Sequence, residues 1–295
     1  MEPSNPVATS VKIMPIKVNH PGIRKQSGNG FCIVTSKIFR ISALGVLFII
    51  GHGFATTVVV LRSPGGILIG TDSRINEMGN PSIHFTACKI FRFGDMYLAN
   101  AGMYTSGGTN FNVLNFAAQA AQIPGSLMDK VAAFHDRINA AVAAMVDDTR
   151  RNEPAVYDGM SKSGIIFEAT FVQMVRGVGE AITKGYYIRD GLVVDDTKEI
   201  SPGDADGLVS GKQDAIQRFI KGNPNWYLDL GAVGAVSRFI DLEIIEEPDR
   251  VGPPIAILKI AANGSEWIQQ GVCPDDIAQN EDQGHPKAHF NAGRL

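Results

Sequence analysis

Cysteine is scarce: Cys32, Cys88 and Cys273 are the only three in a chain of 295 residues. So few, so widely scattered, they exclude a disulfide framework and a cysteine-based zinc site. At most one bridge, between Cys88 and Cys273, is open to a chain cut after Ala55. Charge of one sign is equally lacking. Lysine and arginine number 27 against 30 aspartate and glutamate, a formal net charge of −3, so nothing in the composition points to nucleic acid as a partner. An apolar run long enough to anchor the chain is missing too. The stretch Ile41 to Ile50 is too short to span a bilayer comfortably. Metal and phosphate signatures are also absent. His135 has no second ligand at metal spacing, and Ser106-Gly107-Gly108-Thr109 lacks the Lys-Ser/Thr of a phosphate-binding loop, so a turn capped by Thr109 is the better reading. Asp204-Ala205-Asp206-Gly207 lacks the later ligands of a calcium loop. No cofactor is expected.

What is present is ample apolar material, 44% of residues, enough for one large domain or two. Its organising stretch is Ala55 to Arg74. A Thr/Val-rich run from Thr56 to Val60 and the run Ile67-Leu68-Ile69, separated by Ser63-Pro64-Gly65-Gly66, read as a hairpin. Thr56 begins it and Asp72 finishes it. A cut after Ala55 gives Thr56 a free α-amino group beside its own hydroxyl, so one residue supplies nucleophile and base.

The preceding residues suit such a cut. Residues 1 to about 33 are polar and without period. Lys37 and Arg40, the apolar run, and the small-x-small ending Gly53 to Ala55 are the three parts of a secretory signal peptide, a cleaved propeptide or a buried strand being the alternative readings. A start of translation near Val34 gives that leader an ordinary length. The chain therefore divides into a leader at 1–55, a folded domain at 56–273 and a polar tail at 274–295. Export to the periplasm or medium is expected with that leader; the cytoplasm is the alternative.

Further along, Lys89 to Phe93 and Met96 to Asn100 form a second hairpin about Gly94-Asp95. Two hairpins side by side bring Lys89 towards Thr56 and Asp72. A helix is expected over about 111–123, and an amphipathic one from Ser126 to Arg151, with Leu127, Val131, Phe134, Ile138, Val142 and Met145 on one face and a capping box of Ser126 and Asp129. His135 reads as a solvated or packed helix residue. A loop over Asn152 to Ser163 leads to strands at 164–175, 181–188 and 192–195, a short strand near Val209, helices at 212–221 and about 228–246, and a closing hairpin of 255–261 and 267–271. Grouped strands separated by pairs of helices fit an α+β domain of two antiparallel sheets packed face to face with helices outside, a four-layer αββα sandwich.

Thr56-Thr57-Val58-Val59, Asp72-Ser73-Arg74 beginning sixteen residues after Thr56, Lys89-Ile90 and Ala101-Gly102 together resemble the catalytic β-type subunits of the proteasome and their bacterial relatives, which are N-terminal-nucleophile hydrolases. The resemblance implies the same sandwich. It also implies Thr56 as nucleophile, Asp72 and Lys89 as the charged pair that tunes it, and the Gly102 N–H as an oxyanion donor. Ser210, in Val209-Ser210-Gly211, resembles the family's serine near the threonine amine, and Asp249 its partner carboxylate. Lys89 lies one residue late when counted from Thr56, which leaves Thr57 as a competing nucleophile. Gly252-Pro253-Pro254 stands where a second serine and two glycines are usual, and Ala55 where self-cleaving subunits have glycine. The expected activity is threonine-type peptide hydrolysis of unfolded chains by a homo-oligomeric ring with no membrane anchor after processing. A small-amide hydrolase and an inactive scaffold subunit are the alternatives.

Overall fold

The computed structural model describes residues 56–63, 65–77, 80–106, 108–200 and 207–277. The leader, its cleavage point, the start at Val34 and the tail beyond Ile277 lie outside the described residues.

The described chain is a mixed α+β fold. One antiparallel sheet has the order β10-β1-β2-β11-β12, from β1 (Thr57–Ser63), β2 (Gly66–Thr71), β10 (Gly207–Gly211), β11 (Ala256–Ala261) and β12 (Gly264–Gln269). A second has the order β5-β6-β7-β8-β9, from β5 (Ile90–Phe93), β6 (Met96–Gly102), β7 (Ile165–Val175), β8 (Val178–Arg189) and β9 (Leu192–Ile200). A two-stranded ribbon, β3 (Arg74–Glu77) with β4 (Asn80–Thr86), links them. The sequence pattern misses this ribbon, whose residues are too polar to alternate.

Period-2 alternation sorts the side chains of both sheets. Val58, Val60, Ile67 and Ile69 of the first sheet share one buried cluster with Ile90, Tyr97, Ala99, Val172 and Ala181 of the second. The two hairpins expected side by side therefore belong to different sheets and meet through their apolar faces. Lys89, directly before β5, reaches the first sheet across that contact.

The intervening residues Val59, Leu61 and Leu68 cluster instead with helices α4 (Asp214–Gly222) and α5 (Trp226–Glu246), through Ile216, Val236, Phe239 and Ile240. Leu98, Ala169 and Phe171 cluster with α1 (Val113–Ala121), α2 (Leu127–Asn152) and α3 (Pro154–Ser163), through Val113, Phe134, Ile138, Val142 and Met160. The apolar stripe expected of α2 is buried, and its capping box of Ser126 and Asp129 is formed.

Three expectations are corrected. Asn152 to Ser163 is not all loop, because Pro154 opens α3 with its fixed φ and Gly164 closes it in the left-handed region. The cap of α1 is Asn112, whose side chain accepts from Asn115 N, while Thr109 Oγ1 accepts only from Phe111 N. The residues after Cys273 are not wholly tail: Cys273 and Ile277 are buried in the cluster shared by the two sheets, and Trp267 Nε1 donates to Pro274 O at 3.0 Å. Cys273 is bonded to Cys88.

Candidate active site

Thr56, Asp72 and Lys89 meet at one end of the contact between the sheets. Thr56 precedes β1, Asp72 follows β2, and the register Val58 to Thr71 brings the two ends of that hairpin together. Lys89 enters from the other sheet. Its Nζ donates to Thr56 Oγ1 at 2.8 Å and to Asp72 Oδ1 at 2.9 Å. Both charged side chains have no exposed surface, and Thr56 is 5% exposed.

A carboxylate so buried needs a full set of donors. Asp72 has four: Thr57 N at 3.1 Å and Lys89 Nζ on Oδ1, Arg74 N at 3.0 Å and Gly252 N at 3.1 Å on Oδ2. The segment Gly252-Pro253-Pro254, which stands where the family has a serine and two glycines, thus supplies a donor to Asp72. It also accepts from Ser73, through Gly252 O at 3.1 Å and Pro254 O at 2.6 Å. Desolvation lowers the pKa of Lys89, Asp72 pulls it back up, and Arg74 lowers it slightly again. The result is an ammonium that sheds its proton more readily than a surface lysine, held against a hydroxyl.

Thr57 has a different environment. Its N–H serves Asp72, and its Oγ1 donates to Lys212 O at 3.3 Å. Of the two threonines, it is Thr56 whose hydroxyl accepts from Lys89.

Gly102 ends β6 with φ +94, and a Cβ there would lie 2.5 Å from Ile166 O. Only glycine fits such a position. Ser210 and Asp249 do not join these hydrogen bonds. Ser210 Oγ is buried 2.9 Å from Thr170 Oγ1 and 3.3 Å from Thr183 Oγ1, in a hydroxyl network between the sheets. Asp249 is exposed on the turn after α5, where its carbonyl accepts from Asn76 Nδ2 at 3.1 Å. The structure therefore joins Thr56, Asp72 and Lys89, and leaves Ser210 and Asp249 outside their hydrogen bonds.

No family model and no curated protein matches the chain. Among solved structures it is similar to Anbu from Hyphomicrobium sp. strain MC1, at 13% identity, and to the Gly-1 mutant of Anbu from the same strain, at 14%. Each comparison covers 81% of this chain and 99% of the other, with a TM-score of 0.40. A superposition that loose carries no argument about chemistry.

Several residues around the cluster have no sequence signature. Tyr104 donates to Asn100 O at 3.2 Å, and burial together with the charge of Asp72 holds its phenol well above its ordinary pKa. Lys212 clasps the backbone of Thr56, its N–H donating to Thr56 O at 3.0 Å. Glu168, on β7, is a buried carboxylate 2% exposed that accepts from Gly211 N. A lone Glu in a run of apolar residues gives no spacing by which to find it. His135 is a packed helix residue, its Nδ1 2.8 Å from Tyr186 Oη. Among the described residues no group of His, Cys, Asp and Glu is arranged to hold a metal ion.

Proposed function

We propose that the chain is a threonine-type peptidase of the proteasome-like N-terminal-nucleophile class, activated when residues 1–55 are removed. One observation carries this reading: the Thr56 hydroxyl accepts a hydrogen bond from a desolvated Lys89 that is itself paired with a fully satisfied Asp72. The sheet-to-sheet cluster and the two helix clusters support a four-layer αββα sandwich for residues 56 to about 273.

In the proposed reaction the freed α-amino group takes the Thr56 hydroxyl proton, directly or through one water, as Oγ1 attacks an amide carbonyl. Lys89 stabilises the developing alkoxide and keeps the neighbouring amine neutral by charge repulsion. The Gly102 N–H receives the oxyanion. The amine then protonates the leaving nitrogen, and water releases the acyl group from Thr56. An α-amino group has an unperturbed pKa of about 7.7–8.0, suited to a base near neutrality. An amine still joined to Ala55 cannot act, so the leader is inhibitory.

A peptide or unfolded chain as substrate and a homo-oligomeric ring as assembly follow from the resemblance alone. Export follows from the leader and is supported by the Cys88–Cys273 bridge, since disulfides persist in oxidising compartments.

The decisive test is intact mass and N-terminal sequencing of protein from its native host, with and without Thr56→Ala, followed by assay on fluorogenic peptides and small acyl-amides. A wild-type chain starting at Thr56 that cleaves peptides, with a mutant that does not, supports the reading. Cleavage of small amides only makes it an amidohydrolase. A wild-type chain that retains residues before Thr56 makes it a scaffold.

A further inference from the structure

We propose that Glu168 is a positioning residue for Thr56, acting through the backbone of Gly211; this rests on the threonine-hydrolase reading above. Glu168, Thr170 and Val172 alternate onto the same face of β7, the face that meets the first sheet. Along it the side chains run from apolar Val172, through the hydroxyl network at Thr170, to a charge at Glu168. That charge sits at the Thr56 end.

The Glu168 carboxylate has three donors. Oε1 accepts from Tyr187 Oη at 2.5 Å and from Lys198 Nζ at 3.1 Å, both within its own sheet. Oε2 accepts from Gly211 N, which belongs to the other sheet. The last bond has a consequence for the nucleophile. Gly211 has φ +78 and lies so close to Thr56 that a Cβ on it would be 1.8 Å from Thr56 O and 3.0 Å from Ala101 Cβ. The next residue, Lys212, donates its N–H to Thr56 O. Fixing the Gly211 N–H therefore anchors the peptide immediately before the one whose N–H holds Thr56.

Glu168 also stands opposite Ala101 in the β6–β7 register, one residue before Gly102. Its buried carboxylate thus ties β7, the strand paired with the one that ends at Gly102, to the backbone beside Thr56. In the tetrahedral intermediate one carbon is bonded to Thr56 Oγ1 while its oxygen sits on the Gly102 N–H, so the rate depends on how those two residues are held relative to each other. A misplacement of about 1 Å costs on the order of 100-fold. Once residues 1–55 are gone Thr56 is a chain end, and the clasp on its carbonyl replaces the lost neighbour.

The test compares Glu168→Gln, Glu168→Asp and Glu168→Leu in the processed protein. For each, the N-terminus is verified as Thr56, and kcat and KM on a fluorogenic peptide and the melting temperature are measured. Glutamine still presents an oxygen to Gly211 N–H, while its amide nitrogen faces Tyr187 Oη, which can accept, and Lys198, which is 36% exposed and can turn to water; aspartate keeps the charge but falls a methylene short of Gly211. The expected result is kcat lowered about 100-fold in the Asp and Leu variants with KM nearly unchanged, and recovery of most activity in the Gln variant. Should the Leu variant fail to fold, the Gln and Asp pair decides. Wild-type kcat in the Asp variant, or a Gln variant no better than the Asp variant, overturns the assignment to Glu168 while the threonine reading stands. A wild-type protein that starts at Thr56 and hydrolyses nothing overturns both.

Discussion

Lys89 Nζ lies 2.8 Å from Thr56 Oγ1 although the two residues come from different sheets. That contact separates the two candidate nucleophiles. Thr56→Ala is expected to abolish hydrolysis while lowering stability by only about 1 kcal/mol, the worth of one buried hydrogen bond. Thr57→Val, which removes only the bond to Lys212 O, is expected to retain hydrolysis. Steady-state kinetics on both variants, with N-termini verified, checks the pair; the reverse pattern would move the nucleophile to Thr57.

Asp72 binds four donors on two oxygens and has no water-facing surface. Asn is therefore not a mild replacement, because its amide nitrogen must face an N–H or an ammonium. Asp72→Asn leaves Lys89 buried without its counter-charge, and breaking such a pair costs about 3–5 kcal/mol. Denaturant unfolding measures this directly. A loss below about 1 kcal/mol would mean that the pair is solvated.

Lys89→Met removes the positive charge beside the Thr56 amine and hydroxyl. Without it both hold their protons more tightly, so the active, neutral amine forms at higher pH. The acid limb of kcat/KM is expected to shift upward, with the plateau about 10²–10⁴-fold lower. A pH–rate profile from the processed variant checks the direction; an acid limb that stays in place would remove Lys89 from the tuning of the amine.

Much of this is legible in the sequence, and the reason is local. Thr56, Asp72 and Lys89 sit at strand ends, and strand ends are set by hairpin turns whose glycines, proline and period-2 runs are visible in sequence. The capped stripe of α2 is legible for the same reason. What stayed hidden depends on pairing between distant strands. Nothing within Ala101 to Glu168 says that these two residues face each other, and nothing near Ser210 says that its hydroxyl turns to Thr170 instead of the threonine amine. The donor from Gly252 to Asp72 is hidden likewise, since it arrives 180 residues later in the chain. The polar ribbon β3–β4 and the short helix α3 carry no hydrophobic period and so leave no pattern to read.

Tyr104, Tyr186 and Tyr187, three of the six tyrosines, have phenols held above their ordinary value of 10.0, chiefly by burial. The unfolded chain releases those protons first. Their contribution to stability is therefore complete below about pH 10 and is lost as pH rises through that value towards the folded pKa. Titration followed by phenolate absorbance should show these three ionising only together with unfolding. A graded titration of these three in folded protein would contradict their burial.

The Cys88–Cys273 bridge closes a loop of 185 residues and attaches to the residue immediately before Lys89. Opening it releases Cys273 and Ile277 from the cluster between the sheets, and so loosens the segment from which Lys89 reaches Thr56. Reduction, or Cys273→Ser, is expected to lower stability by about 2–5 kcal/mol and to lower kcat more than KM changes. The same bond bears on where the protein works. Thiol alkylation of protein taken directly from its host should find Cys88 and Cys273 protected if the chain is exported, because only an oxidising compartment keeps the bridge closed. Free thiols in a fully active enzyme would place it in the cytoplasm and show that Lys89 is held well enough by Asp72 and Thr56 alone.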